Sequence, residues 1–212
     1  MNEAGKIIVA GCGPGHPDYI TEAVRIAVSS AELLVGTQHL LELFPDSLAE
    51  RLAVGKDMEA LLNHIEEASP RAIVVLTSGD TGLYSLARTL LKRFGSQRCR
   101  LIPGISAVQV ACARLALDWH DLKIISAHGR EPECSVGDLS GFKKIAILAG
   151  TENAKRWSAA MLEALGDAYT AIACENLTWE EEKITELDAS GLLAAELASR
   201  TIILLIAKEG IS

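Results

Sequence analysis

KIIVAGCGPGHPD, residues 6–18, joins a short apolar run to a turn that contains three glycines. The apolar, β-branched run predicts a buried strand. The glycines at 11, 13 and 15 let the backbone turn sharply and approach a ligand closely, because no side chain stands in the way. A helix is expected next, with Asp18 or Thr21 as its cap. The stretch therefore predicts a strand–turn–helix unit with a ligand at the turn.

The same alternation of strand and helix continues along the chain. Short apolar runs predict strands at 6–10, 32–35, 72–77, 100–102, 123–126, 144–149, 169–174 and 201–207. Apolar residues at helical spacing predict helices at 18–30, 57–68, 81–95, 106–117 and 152–166. Such alternation is typical of an α/β protein whose sheet is mainly parallel.

The pattern changes near residue 118, where the polar stretch LDWHDLK interrupts it. We therefore predict two α/β domains, residues 1–118 and 119–212. Residues 169–188, YTAIACENLTWEEEKITELD, suggest two strands around an acidic turn with no helix between them. The second sheet is accordingly expected to be mixed, with antiparallel strands.

The composition excludes several classes of protein. With 28 acidic and 20 basic residues the net charge is -8, which argues against a general nucleic-acid binder. The five cysteines are odd in number and form no C-x-x-C pair, so neither a disulfide framework nor a metal site is expected. The apolar run before the first glycine is too short for a signal peptide or a membrane span. A cytoplasmic protein fits best.

Two further turns follow predicted strands. TSGDTGLY, residues 77–84, ends the most apolar strand of the first half. Ligands of open α/β sheets collect outside the carboxyl ends of strands, so Gly79 and Asp80 are predicted binding residues. Asp80 could instead cap a helix that begins near Thr81. In IPGISA, residues 102–107, Ser106 is placed to cap the next helix, and exposed amides of Ser106 and Ala107 would face the same cleft.

The glycine turns admit less specific interpretations. A dinucleotide-binding fingerprint would need glycine at position 16 and an acidic residue near the end of the second strand. The chain has His16 and Val35-Gly36 at these places, which disfavours a dehydrogenase. Each turn alone could be a plain link between strand and helix, but three glycine turns on one sheet edge are a more specific signal.

Taken together, the motifs resemble those of the tetrapyrrole methylases. The resemblance covers the whole chain: G-x-G-P-G, P-D-Y-I-T, S-G-D, P-G-I-S-A and I-L-A-G-T-E-N. It implies two α/β domains that bind S-adenosylmethionine in the cleft between them, in a homodimer. The runs S-G-D-T-G-L-Y-S, P-G-I-S-A-V-Q and S-A-H-G-R look most like the branch that methylates C5 of a corrin precursor, precorrin-7 or cobalt-precorrin-7, in cobalamin synthesis.

The resemblance also implies site residues. Those that fall where relatives contact the methyl donor are Pro14, Asp80, Leu83, Ser106, Ala107, Leu148, Ala149 and Thr201, and Gly79 joins them by position. Gly13, Gly15 and Arg130 are the predicted substrate contacts. Many relatives have proline where this chain has Thr81, which puts the local loop shape in question. A separate protein is expected to methylate C15 and remove a carboxyl group.

Methyl transfer from a sulfonium mainly requires alignment of the nucleophile, so no catalytic triad is expected. His128 is the candidate for moving a proton of the reduced macrocycle, although a loop histidine is more often a surface residue. Arg130 is the predicted grip for substrate carboxylates, with Arg114, Lys143 and Lys144 as further cations. The alternatives are methylation of another ring position, a protein methylase like diphthine synthase, and a non-enzymatic nucleotide-binding module.

Overall fold

The computed structural model describes residues 6–127 and 132–208, and the chain forms two compact units, Met1–Ser106 and Ala107–Ser212. The boundary between them lies upstream of the predicted junction at residue 118. It falls at the start of a helix, Ala107–Arg114 (α5), that packs against the last strand of the second unit, Thr201–Ala207 (β10). The packing of this helix explains why the division precedes the polar stretch.

The first unit is built on a five-stranded sheet. Its strands are Ile7–Gly11 (β1), Leu33–Gly36 (β2), Glu50–Ala53 (β3), Ile73–Thr77 (β4) and Cys99–Ile102 (β5), in the order β3-β2-β4-β1-β5. Its helices are Glu22–Ser29 (α1), Gln38–Leu41 (α2), Met58–Glu67 (α3) and Ala87–Phe94 (α4). Every pair of neighbouring strands is parallel, which confirms the predicted parallel first sheet.

Both faces of this sheet are covered by helices. Val9 packs in a cluster with Leu61 of α3 and Leu90 of α4, whereas the next residue, Ala10, packs in a cluster with Val24 of α1. Successive side chains of a strand point to opposite faces, so a sheet covered on both faces needs strands that are apolar throughout. This requirement explains the continuous apolar runs of β1, β2 and β4. With both faces covered, a ligand can reach the sheet at the ends of its strands.

The second unit contains a mixed sheet. After α5 its elements are Leu122–Ser126 (β6), Val136–Leu139 (α6), Lys144–Leu148 (β7), Glu152–Leu165 (α7), Tyr169–Glu175 (β8), Lys183–Leu187 (β9), Ala189–Ala194 (α8) and β10. The strand order is β6-β7-β10-β8-β9. Only β6 and β7 are parallel among the pairs described, and β8 and β9 form the predicted antiparallel pair. The expectation of a mixed second sheet is confirmed.

Some local expectations were wrong. The helix predicted from Thr81 begins at Ala87, because Tyr84 takes a φ of 47° that no right-handed helix accepts. Ser85 instead closes the preceding turn, donating its hydroxyl to Thr81 O and accepting the Ala87 N–H. Thr21 stands at the cap position of α1, but its side chain makes no capping hydrogen bond. No helix in the described ranges is long and apolar enough to cross a membrane.

Candidate functional site

Three loops lie side by side at the carboxyl edge of the first sheet. They follow β1, β4 and β5, which are neighbours in the strand order β4-β1-β5. The first two loops are joined backbone to backbone: Gly79 N–H donates to Gly13 O at 2.8 Å, and Gly13 N–H donates to Gly79 O at 3.3 Å. The turns that the sequence predicts to bind ligands are thus brought together within one unit.

The glycines of these loops touch one another through their backbones. A β-carbon added to Gly104 would lie 2.3 Å from Gly79 O and 2.5 Å from Gly11 O. One added to Gly11 would lie 2.6 Å from Gly104 N. These distances are far inside van der Waals contact, so Gly11 and Gly104 admit no larger residue without moving the loops apart. We call Gly11, Gly79 and Gly104 the glycine junction.

Asp80 braces the second loop against the third. Its Oδ2 accepts a hydrogen bond from Gly104 N at 3.0 Å, and its Oδ1 accepts one from Gly82 N at 2.8 Å. Since α4 starts at Ala87, Asp80 does not cap that helix, and the capping interpretation is wrong. Each carboxylate oxygen has lone-pair capacity beyond these bonds, so Asp80 can also accept hydrogen bonds from a ligand.

The other predicted contacts of the first unit surround the glycine junction. Gly13 is buried and Pro14 and Gly15 are half-buried, with left-handed φ values of 79° at Gly13 and 153° at Gly15. Leu83 is half-buried and donates its N–H to Asp80 O. Ser106 is buried at the start of α5. The geometry collects these residues at one edge, and their binding roles remain predictions.

Cys12 lies within the first loop and is no nucleophile. Burial raises the pKa of its thiol to about 12, so the thiolate is not populated near neutral pH. In the described ranges, no group of three or more His, Cys, Asp or Glu is arranged to hold a metal ion. The chemistry available at this edge is therefore that of backbone amides, a carboxylate and close backbone approach.

The predicted contacts of the second unit also converge on one sheet edge. Ala149 follows β7 and donates its N–H to the carbonyl of Thr201, the first residue of β10. Leu148, the last residue of β7, is half-buried, and Thr201 is buried and donates its hydroxyl to Ala198 O at 2.6 Å. The sequence therefore selected three residues that are spatial neighbours.

A small pocket opens beside Ala149. It is lined by Ala149, Gly150, Thr151, Glu152, Lys155 and Leu197. Lys155, whose side chain is only 10% exposed, donates to Ala195 O at 2.8 Å and pairs with Glu152 at 3.0 Å. Both contacts are made by the ammonium group, which therefore fastens the segment before β10 to α7.

Glu175 was not predicted from the sequence, although it pairs with Thr201 across β8 and β10. Its side chain is 7% exposed, and its Oε1 accepts the Ala198 N–H at 3.0 Å. The Oε2 atom is buried without a hydrogen bond, 3.8 Å from Lys183 Nζ. An acidic residue that ends an apolar strand was the available signal, but the sequence alone does not show that the strand end is buried.

Two of the four cations proposed for substrate carboxylates are engaged by other groups. Arg114 forms a bidentate contact with Glu182, with N···O distances of 2.6 Å and 3.2 Å, so it is not the free cation that was expected. Lys144 donates to Asp118 O, and Lys143 is exposed. His128 and Arg130 lie outside the described residues. The predicted substrate grip therefore remains untested.

Known proteins resemble this chain over most of its length. A family model described as Tetrapyrrole (Corrin/Porphyrin) Methylases matches residues 6–192. The cobalt-precorrin-7 C(5)-methyltransferase of Salmonella typhimurium is 35% identical over 200 residues, which are 93% of this chain and 98% of the relative.

Solved structures share the fold. The precorrin-6Y methylase from Archaeoglobus fulgidus is 25% identical with a TM-score of 0.73, and the match covers 98% of this chain and 100% of that one. A uroporphyrin-III C-methyl transferase from Thermus thermophilus, complexed with S-adenyl homocysteine, has a TM-score of 0.76 at 18% identity and covers 95% and 92% of the two chains. The predicted two-sheet α/β architecture is confirmed by these likenesses.

Proposed function

The chain belongs to the tetrapyrrole (corrin/porphyrin) methylases, and from this premise we propose that it methylates C5 of a corrin precursor, precorrin-7 or cobalt-precorrin-7. The observation that carries the proposal is the similarity to the Salmonella enzyme, which extends over 93% of this chain and 98% of the relative. A match of this extent, at 35% identity, necessarily reaches into both units. The ring position and the macrocycle come from this relative.

S-adenosylmethionine supplies the electrophilic methyl group of the reaction. The first unit offers two features that suit such a nucleoside donor: glycine-rich turns at the carboxyl ends of parallel strands, and the Asp80 carboxylate as acceptor for a hydroxyl or amino group. We assign Pro14, Gly79, Asp80, Leu83, Ser106, Ala107, Leu148, Ala149 and Thr201 to donor binding. Their task is alignment, because the reaction needs the nucleophilic carbon in line with the S–CH₃ bond.

Substrate recognition is assigned to Gly13, Gly15 and Arg130. A guanidinium is a planar fork that matches a carboxylate, which suits the acetate and propionate arms of a corrin precursor. His128 is assigned to moving the proton that must leave or shift after a ring carbon has been methylated. Arg130→Ala should raise the KM for the macrocycle and leave S-adenosylhomocysteine affinity intact; normal turnover would remove Arg130 from the site.

The decisive experiment combines donor binding with turnover. Calorimetry with S-adenosylhomocysteine tests the methyltransferase class, and incubation with defined corrin intermediates plus S-adenosylmethionine tests the substrate. We expect binding, and a product that carries the new methyl group at C5 by NMR. Donor binding without corrin turnover would favour another ring position or a diphthine synthase-like reaction. Absence of donor binding would favour a non-enzymatic module.

The cellular setting is part of the proposal. We expect a cytoplasmic enzyme, which agrees with five cysteines that are all free thiols in the structure. C15 methylation and decarboxylation are assigned to a separate protein. Parallel assays with the metal-free and the cobalt-containing precursor distinguish the two forms of the substrate.

A further inference from the structure

Tyr84 has an unusual backbone conformation. It lies in the loop after β4, four residues beyond Asp80, and its φ of 47° places it in the left-handed region. For a residue with a bulky side chain this region is strained, because the β-carbon approaches the following carbonyl. Strain of this kind persists where the surrounding structure enforces it, and it concentrates at functional sites.

The fold does not need a tyrosine at this position. The neighbouring hydrogen bonds run through Asp80 O, which accepts the Leu83 N–H, and through Ser85, which bonds Thr81 O and the Ala87 N–H. None of them uses the Tyr84 side chain. Glycine would adopt the same φ without strain, so the local geometry favours glycine. Because glycine would fit the backbone better, we attribute the presence of tyrosine at this position to its aromatic ring.

The ring is exposed at the edge where ligands of parallel sheets bind. Tyr84 as a whole residue is 63% exposed to solvent. The other exposed large apolar residues in the described part of the chain are Ile26, Leu48, Leu101, Trp119, Ile184 and Leu193. Tyr84 alone among them lies in the loops that follow β1, β4 and β5. It lies in the same loop as Gly79 and Asp80, at the carboxyl ends of the strands, where ligands of parallel sheets bind.

Arg88 follows on the first turn of α4. Its N–H donates to Ser85 O, which ties it to the Tyr84 turn, and its side chain is exposed. The first turn of α4 has no acidic residue, and Arg88 forms no ion pair with any residue that the structure describes. By contrast, Arg93 on the same helix bonds Asn63 and Glu66. Arg88 is thus a cation available to a ligand.

We infer that Tyr84 and Arg88 form a recognition edge for the tetrapyrrole, with the ring against its flat face and the guanidinium on one of its carboxylates. The inference rests on the proposed function, because it takes the macrocycle as substrate. A ring and a guanidinium in one short segment match a ligand that is both planar and anionic. In a protein of net charge -8, such a local cation is needed to attract a polycarboxylate.

The test uses the full chain and separates the ring from the strain. Tyr84→Gly removes the ring and relieves the backbone, Tyr84→Asn does the same with a residue that tolerates this conformation, and Tyr84→Phe keeps the ring. Arg88→Ala removes the cation, and Lys92→Ala removes an exposed cation near the other end of α4 as the matched control. KM for the corrin precursor, S-adenosylhomocysteine affinity and thermal midpoint are measured for each.

We expect Tyr84→Gly and Arg88→Ala each to raise the KM about tenfold, with donor affinity unchanged. The thermal midpoint of Tyr84→Gly should equal or exceed that of the parent. Tyr84→Phe and Lys92→Ala should behave like the parent. An unchanged KM in Tyr84→Gly, Tyr84→Asn and Arg88→Ala, with the parent active on the corrin, overturns the inference and leaves the proposed function standing. A parent that binds donor but ignores corrins overturns both.

Discussion

Gly104 illustrates how one hydrogen atom in place of a methyl group can decide the shape of a site. Gly104→Ala would place a β-carbon 2.3 Å from Gly79 O, so the loops after β4 and β5 must separate. We expect a loss of about 1–3 kcal/mol in the free energy of unfolding, the usual scale for overpacking. Weaker S-adenosylhomocysteine binding should accompany it. Urea unfolding and calorimetry measure the two effects.

Gly55→Ala is the matched control, because an added β-carbon there meets nothing within 4 Å. It should leave the free energy of unfolding, measured with urea, within about 0.5 kcal/mol of the parent. Equal midpoints for both alanine variants would mean that the glycine junction can relax, and the close-packing argument would then fail.

Asp80 combines a structural role with a predicted binding role. Asp80→Ala removes the acceptor of both the Gly82 and Gly104 N–H groups, so stability should fall by about 1–2 kcal/mol. We also expect a loss of about 1–3 kcal/mol in S-adenosylhomocysteine affinity, the scale for an unpaired polar partner. Calorimetry below the unfolding temperature separates the two losses.

Asp57→Ala is the control for Asp80, since Asp57 caps α3 by accepting the Ala60 N–H. It should lower stability by a similar amount and leave the affinity unchanged. If Asp80→Ala behaves like Asp57→Ala, Asp80 is a loop brace alone.

At the residue scale, the sequence predicted where the site residues lie better than it predicted the contacts that they make. Gly79, Asp80 and Ser106 could be placed at one sheet edge because parallel strands share a carboxyl edge. The Asp80 bond to Gly104 could not be predicted, because it depends on how closely two loops approach. Likewise, the burial of Glu175 depends on the segment before β10, which is far away in sequence. Only the three-dimensional packing brings these groups into contact.

At the scale of elements, every strand in the described ranges was predicted except β3, and β9 was predicted although it is mostly exposed. β1, β2, β4 and β10 are almost entirely apolar, so their sequence alone reveals them. β3 was not predicted: it is an edge strand, ERLA, whose residues are mostly exposed. The short helices α2, α6 and α8 were also not predicted, since helices of 4 to 6 residues contain too few turns to show a periodicity.

The connection between β8 and β9 depends on Glu182. Its carboxylate accepts the Thr178 N–H and two contacts from Arg114 of α5, and Thr178 takes a left-handed φ of 74°. The hydrogen bond from Arg114 holds the pKa of Glu182 below its ordinary value of 4.5. The ionised carboxylate therefore stabilises the turn and its contact with α5.

Glu182→Gln should lower stability by roughly 1 kcal/mol at neutral pH, a small effect because solvent partly screens the pair. A lowered folded pKa contributes stability above the unfolded value of about 4.5, and this contribution disappears as the pH falls through the folded pKa. The two unfolding curves should therefore converge in acid. Glu181→Gln, an exposed neighbour, is the control; a Glu182→Gln effect that persists at low pH would refute the electrostatic account.

At the scale of the whole molecule, we predict a symmetric homodimer. The expectation comes from the family resemblance, and closed twofold assemblies are the commonest form of soluble oligomer. Light scattering at micromolar concentration should give about twice the chain mass of 22.6 kDa. A mass of one chain would exclude the dimer under these conditions.

The sequence also predicted two α/β units and the character of both sheets. It placed the junction by a change in composition, whereas the compact units divide before α5, which contacts β10. A change in composition locates the polar stretches of a chain, whereas packing shows to which unit a helix belongs. The two criteria need not agree when a helix follows the last strand of one unit and packs in the next.

The position of β10 has a consequence for synthesis on the ribosome. β10 lies between β7 and β8, although it is translated after both. Until residues 201–207 emerge, β6–β7 and β8–β9 are two half-sheets whose open backbone edges can pair with another nascent chain. The first unit meanwhile has all its strands and can fold. The interval between the emergence of β9 and that of β10 is therefore the aggregation-prone stage, and conditions that lengthen it should increase inclusion bodies without changing the stability of the finished protein.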